Sequence, residues 1–143
     1  MQVAIGPVAA SSATSFIDYA RAVLEGYGLD DEPADDHVGT EVVTSFRRYL
    51  DDWARVAKRG GEFRWSGEET LEEVEYLVHA FYRLAGLATA TAEERGRPLM
   101  PPDAKPFYEA LIHGVLDALE SAGTPAAEFA EELRQFWPRF GTT

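Results

Sequence analysis

The sequence predicts an all-α protein: a single-domain bundle of about five helices, with an antiparallel hairpin of the second and third helices at its centre. Three observations carry this. Apolar residues recur at three- and four-residue intervals over most of the chain. Capping residues, glycines and prolines punctuate those stretches where helices should start and stop. Five such stretches cover well over half of the 143 residues, against roughly a third in an ordinary globular protein.

Residues 1–14 should form an extended arm against the body, because Gly6-Pro7 interrupts their apolar run. No base precedes Arg21, so the basic start of a secretory signal is missing and a cytoplasmic location is the default expectation. The first helix should run from Phe16 to Glu25, with Ser15 and Asp18 as its capping pair and Gly26 as its stop. An acidic loop follows over residues 29–39, with five carboxylates between Asp30 and Asp36. It lacks the spacing of a calcium loop, and clustered like charges stay solvated.

The second helix should span Glu41 to Arg59, capped by Thr40 and stopped by Gly60-Gly61. Its apolar face holds Val42, Val43, Phe46, Tyr49, Leu50, Trp53 and Ala57. On its other face Arg47–Asp51, Arg48–Asp52 and Asp51–Arg55 stand four apart, which reads as a self-neutralising solvent face. Glu62 to Ser66 alternates like a strand, but five residues make no sheet alone. An extended connector that tucks Phe63 and Trp65 under the body is expected.

Ser66 and Glu69 have the spacing of a capping box and should start the third helix. Val74, Val78, Phe81 and Ala85 form its stripe, and residues 95–103 make a proline-rich crossing. The fourth helix should begin after Asp103 and end at Gly123, with Tyr108, Leu111, Ile112, Val115 and Leu119 inward. The fifth should open with Thr124 as cap and Pro125 at its first position, and stop at Pro138.

Trp65-Ser66-Gly67 between two helices resembles the turn of the small secreted Trp-x-Gly helical-hairpin proteins. The resemblance covers three residues. The tail tyrosine with an acid four positions on is missing, since Tyr82 is followed by Gly86.

Composition excludes several functions. The chain has no cysteine, hence no disulfide, thiolate ligand or thiol nucleophile. A net charge of −12 disfavours nucleic acid and anionic membranes as partners. No apolar run approaches the ~20 residues of a membrane span. There is no nucleophile elbow and no phosphate loop. Glu75 and His79, and again Glu109 and His113, sit four apart on one helix face. At about 100° per residue, both histidines fall about 140° from the centre of their apolar stripes, so both should face solvent rather than hold a metal. No metal or cofactor is expected, and no catalytic residue is assigned.

The leading expectation is a non-enzymatic α-helical protein-interaction module, self-associating or part of a larger complex. Its motive is 17 aromatics and several apolar stripes, more than one small core obviously needs. Leu99, Met100, Phe129, Phe136, Trp137 and Phe140 are the expected interface. The alternative is a small-molecule-binding or enzymatic bundle with a pocket between the second, third and fourth helices, lined by Tyr49, Trp53, Phe81, Tyr82 and Tyr108. Glu75 and His79 would stand at its mouth. A third reading is an acidic decoy or immunity-type inhibitor that covers a basic protein.

Overall fold

The computed structural model describes residues 1–26, 37–95 and 100–137; for residues 25, 26, 37–41, 85–95 and 136 it describes the backbone only. Its elements run β1 (Gln2–Ala9), α1 (Ala10–Gly26), α2 (His37–Ala57), β2 (Glu62–Glu68), α3 (Leu71–Arg95), α4 (Lys105–Ser121) and α5 (Ala126–Phe136). A single 3-10 turn over Pro102–Ala104 leads into α4. The fold is therefore mostly helical but not purely all-α, because β1 and β2 form a two-stranded antiparallel sheet. The acidic loop and Leu99 lie largely or wholly outside the described residues, although His37–Gly39, assigned to that loop, already belong to α2.

The sheet corrects two expectations at once. The arm at the N-terminus is extended only to Ala9, and α1 begins at Ala10, six residues before Phe16. The connector finds in that arm the partner it needs, pairing Gln2 with Glu68, Ala4 with Ser66, Ile5 with Trp65 and Val8 with Phe63. Two short strands that lack a core separately gain one together, since the pleat sends Val3, Ile5 and Phe63 to the same buried side. The register slips between Ile5 and Val8, where Gly6-Pro7 breaks the alternation. Trp65-Ser66-Gly67 is thus part of a strand and not a turn between helices.

The ladder also moves the start of α3. Ser66 is paired to β1 and cannot cap a helix, so the cap falls to Thr70. The Glu73 N–H donates to the Thr70 hydroxyl, and that hydroxyl donates to the Glu73 carboxylate, both at 3.1 Å. This is a capping arrangement four residues later than the sequence suggests. At the end of α2 the chain turns through Gly60 and Gly61, both at positive φ, which side chains rarely tolerate.

Helix α4 lies along β1. Gly114 makes that possible: a methyl group there would collide with the Ala4 carbonyl oxygen. The first turn of α4 receives its cap from another helix. The Phe107 N–H donates to the hydroxyl of Ser12 in α1 at 3.0 Å, and Ser12 is buried. An unpaired N–H buried at a helix start is costly, so a buried serine in α1 has a structural reason. Helix α5 opens without a side-chain cap: Pro125 takes the N-cap position and the helix starts at Ala126, so Thr124 is not its cap.

The core is an aromatic stack. Phe107 meets Phe16, Trp53 and Phe63 at centroid distances of 5.3, 5.4 and 5.2 Å, and Phe46 meets Phe81 edge-on at 5.5 Å. All six rings are fully buried. Among the described residues no helix is long and apolar enough to cross a membrane.

Candidate functional site

Three residues expected to line a pocket between α2, α3 and α4 are buried. Trp53, Phe81 and Tyr108 fill that space as core, and Tyr108 accepts a 2.7 Å hydrogen bond from the indole N–H of Trp137. Tyr82 is 42% exposed. His79 and His113 are both exposed, as their helical phase requires, and Glu75 is half-buried. Among the described residues no three His, Asp or Glu side chains converge as a metal ion would need.

The interface candidates divide. Met100 is 2% exposed and belongs to the core, contrary to its assignment to a surface loop. The exposure expected of a methionine beside prolines is overridden by packing, since the chain re-enters the body there. Phe129 and Trp137 are half-buried against the core. Leu99 and Phe140, and the side chain of Phe136, lie outside what the structure describes.

A groove of about 920 Å³ opens instead on the outer side of α2, between that helix, Trp65 of β2 and the start of α3. Helix α2 supplies Ser45, Arg48, Tyr49, Asp52 and Arg55, which share one helical face. Glu73 and Tyr76 stand three apart in the first turns of α3 and so face one way, and Glu69 joins them from the residue before the Thr70 cap. Tyr49 is the one predicted pocket residue that lines this groove.

Its polar groups are bonded to one another. The Tyr49 hydroxyl donates to Glu69 Oε2 at 2.6 Å, and the Trp65 indole N–H donates to Asp52 Oδ2 at 2.6 Å. Arg55 reaches Asp52 Oδ1 at 2.7 Å, and Arg21 of α1 reaches Asp51 at 2.8 Å. Asp52 and Asp51, each expected to pair four positions away, are bonded to Arg55 three residues on and to Arg21 in another helix. Trp65 stands edge-on to both Tyr49 and Trp53, each with a centroid separation of 6.0 Å, and is itself only partly covered.

Glu69 is the pivot. Its N–H donates to the Met1 carbonyl, and its own carbonyl accepts from the Met1 nitrogen, both at 2.7 Å. Burial, and then a hydrogen bond to the neighbouring Glu73 carboxyl, push the Glu69 carboxyl up to about 7, against an opposing bond from Tyr49. The same bond from Glu69 holds Glu73 below the usual carboxylate range. Two carboxyls in contact resist double ionisation, so one is pushed up while the other is held down. Burial and the Glu69 bond also raise the Tyr49 phenol, which remains a donor. Asp52 is held low, first by the Trp65 indole and then by Arg55.

The signal for this site was present in the chain as a polar stripe with Tyr49 embedded in it, and as Glu69-x-x-x-Glu73-x-x-Tyr76. Each half reads as solvent-facing alone, and only the β1–β2 ladder brings Trp65 between them. Compared with known protein families, curated proteins and solved structures, the chain matches none.

Proposed function

We propose that this protein is a small-molecule-binding helical domain whose site is the groove between α2, β2 and α3. The observation that supports this reading is the convergence, in one open cavity, of a half-exposed indole, two phenols and two adjoining glutamates. Ligand sites characteristically combine an aromatic wall with a few oriented polar groups, at volumes of roughly 300–1,000 Å³. The groups already hold one another in place, so little order has to be created on binding. The reading is of a binder rather than an enzyme: the aliphatic hydroxyl bonded to Glu73, that of Thr70, is already engaged as the cap of α3.

Titration of a panel of polar and aromatic small molecules, followed by the Trp65 indole N–H resonance, tests this. Binding that moves that resonance and weakens at least about tenfold in Trp65→Ala is the expected result. A panel that binds nowhere, or binds without regard to Trp65, overturns it.

A second reading is the protein-interaction module, with self-association as its simplest form. It is favoured by Tyr82, the one large apolar side chain among the described residues that is plainly exposed, with half-buried Phe129 and Trp137 also on the surface of the body. Sedimentation at micromolar concentration should then report a dimer that Tyr82→Glu dissociates. A monomer at all concentrations removes the self-associating form.

A further inference from the structure

We infer that the open edge of β2 pairs with the β2 edge of a second copy of this chain, joining two sheets across a twofold axis at Ser66. The inference is independent of the groove. It deepens the self-associating reading and gives it a surface other than the one around Tyr82.

The two edges of the sheet differ. The outer edge of β1 lies against α4, where Gly114 lets the helix approach the Ala4 carbonyl. Beyond β2 no further strand is paired. Hydrogen bonding at the two ends of the ladder shows which β2 groups are left over. Met1 and Glu69 exchange both backbone hydrogen bonds at 2.7 Å, and the Ala10 N–H donates to the Gly61 carbonyl at 3.1 Å. Stepping inward by twos from those ends, Gly67, Trp65 and Phe63 turn N–H and C=O toward β1. Glu62, Arg64, Ser66 and Glu68 therefore turn theirs outward. Among the described residues no backbone group outside β2 bonds them, and all four residues are exposed. An edge of this kind is a template for another strand.

Charge selects the occupant. A twofold axis sets outward residues of one copy against outward residues of the other. Three such antiparallel registers overlap three or more of these residues. With the axis at Arg64, that arginine faces its own counterpart. With the axis at Trp65, Glu62 faces the partner's Glu68, and the reverse. With the axis at Ser66, Arg64 faces the partner's Glu68 twice over, and Ser66 faces the partner's Ser66. Opposite charges across a ladder are favourable and like charges unfavourable, so only the last register suits two copies. Its three facing pairs can each exchange two backbone hydrogen bonds. Arg64 bonds Glu62 within its own strand through Nε and Nη2, and Glu68 holds the Met1 nitrogen through Oε1 at 3.1 Å. Arg64 Nη1 and Glu68 Oε2 are left to meet across the axis. The same register sets the half-buried Trp65 opposite the partner's Gly67, whose missing side chain leaves room for the indole.

Analytical ultracentrifugation of the full chain across the micromolar range tests this, at physiological salt so that the net charge of −12 is screened. A monomer–dimer equilibrium is expected. Arg64→Glu and Glu68→Arg, each verified as folded by circular dichroism, should each weaken it about tenfold or more, since each sets like charges opposite one another twice. An equimolar mixture of the two variants should associate as the native chain does, because every facing charge pair between them is again of opposite sign. That recovery also shows that both variants keep the strand. Ser66→Pro, which removes an outward N–H and leaves the β1 ladder alone, should weaken the dimer as well. A chain that stays monomeric, whatever other strand its edge accepts, would overturn the proposal and self-association together. A dimer that Tyr82→Glu dissociates and Arg64→Glu does not would overturn the edge and leave self-association standing. Two weakened variants that fail to recover on mixing would overturn the register, and with it the choice of a second copy.

Discussion

Helix α2 belongs to two aromatic regions that behave in opposite ways. On one side Phe46, Leu50 and Trp53 enter a buried stack with Phe16, Phe81 and Phe107. On the other, Tyr49 and Trp65 meet edge-on just as the core rings do, yet they carry hydroxyl and indole groups bonded to Glu69 and Asp52, and the cavity beside them is open. Ring packing alone therefore does not say whether an aromatic cluster is structural. What separates the two is a charged partner: the core rings close against each other, Tyr108 bonding only the Trp137 indole, whereas Tyr49 and the partly exposed Trp65 each hold a carboxylate.

The comparison is broken or sharpened first at the two tryptophans. Trp53→Ala empties a fully buried site and should cost about 3–5 kcal/mol in denaturant unfolding. Trp65→Ala removes a partly exposed ring and should cost about 1–2 kcal/mol, in proportion to the area it buries. Equal losses would mean that Trp65 is a core residue and the groove a surface irregularity.

Next comes the seam where α4 meets β1. Gly114→Ala forces a methyl against the Ala4 carbonyl, so the helix must lift from the strand. A destabilisation of about 1–3 kcal/mol is expected, despite alanine's better helix propensity. A more stable variant would show that this side is not packed to backbone contact. Ser12→Ala should cost about 1–2 kcal/mol, because it strands the buried Phe107 N–H. A loss no larger than that of Ser15→Ala, whose hydroxyl bonds Asp103 at an exposed position, would remove the inter-helix cap from the account.

These residues also mark how far the chain can be read. The five helices were legible because each carries its own periodicity and its own breakers, and the exposure of His79 and His113 followed from helical phase alone. The sheet was not, because neither strand is persuasive without the other and their pairing joins residues more than 50 positions apart. Once the ladder forms, the Ser66 capping signal becomes a strand residue and Thr70 takes over. The same long-range pairing hides the groove: Ser45 to Arg55 and Glu69 to Tyr76 look like two solvated helix faces until β2 sets Trp65 between them. Met100 was misread for a similar reason, since local proline chemistry says nothing of where the chain re-enters the core.

The smallest effect is the one that most directly separates the groove from the core. Glu69 titrates at about 7 in the folded chain, against an ordinary carboxyl value of 4.5. Between those values the folded chain holds a proton that the unfolded chain has released. The stability it contributes is whole below about pH 4.5, declines as pH climbs through the window, and is gone above about 7. Glu73 runs the other way: its carboxyl is held low, so its contribution is present above the ordinary value and lost on acidification. Solvent reaches the pair, so the decline should be modest. Thermal unfolding from about pH 5 to about pH 7.5 should show it in the native chain and lose it in Glu69→Gln. A native profile that is flat over that range would mean that the groove does not raise the Glu69 carboxyl.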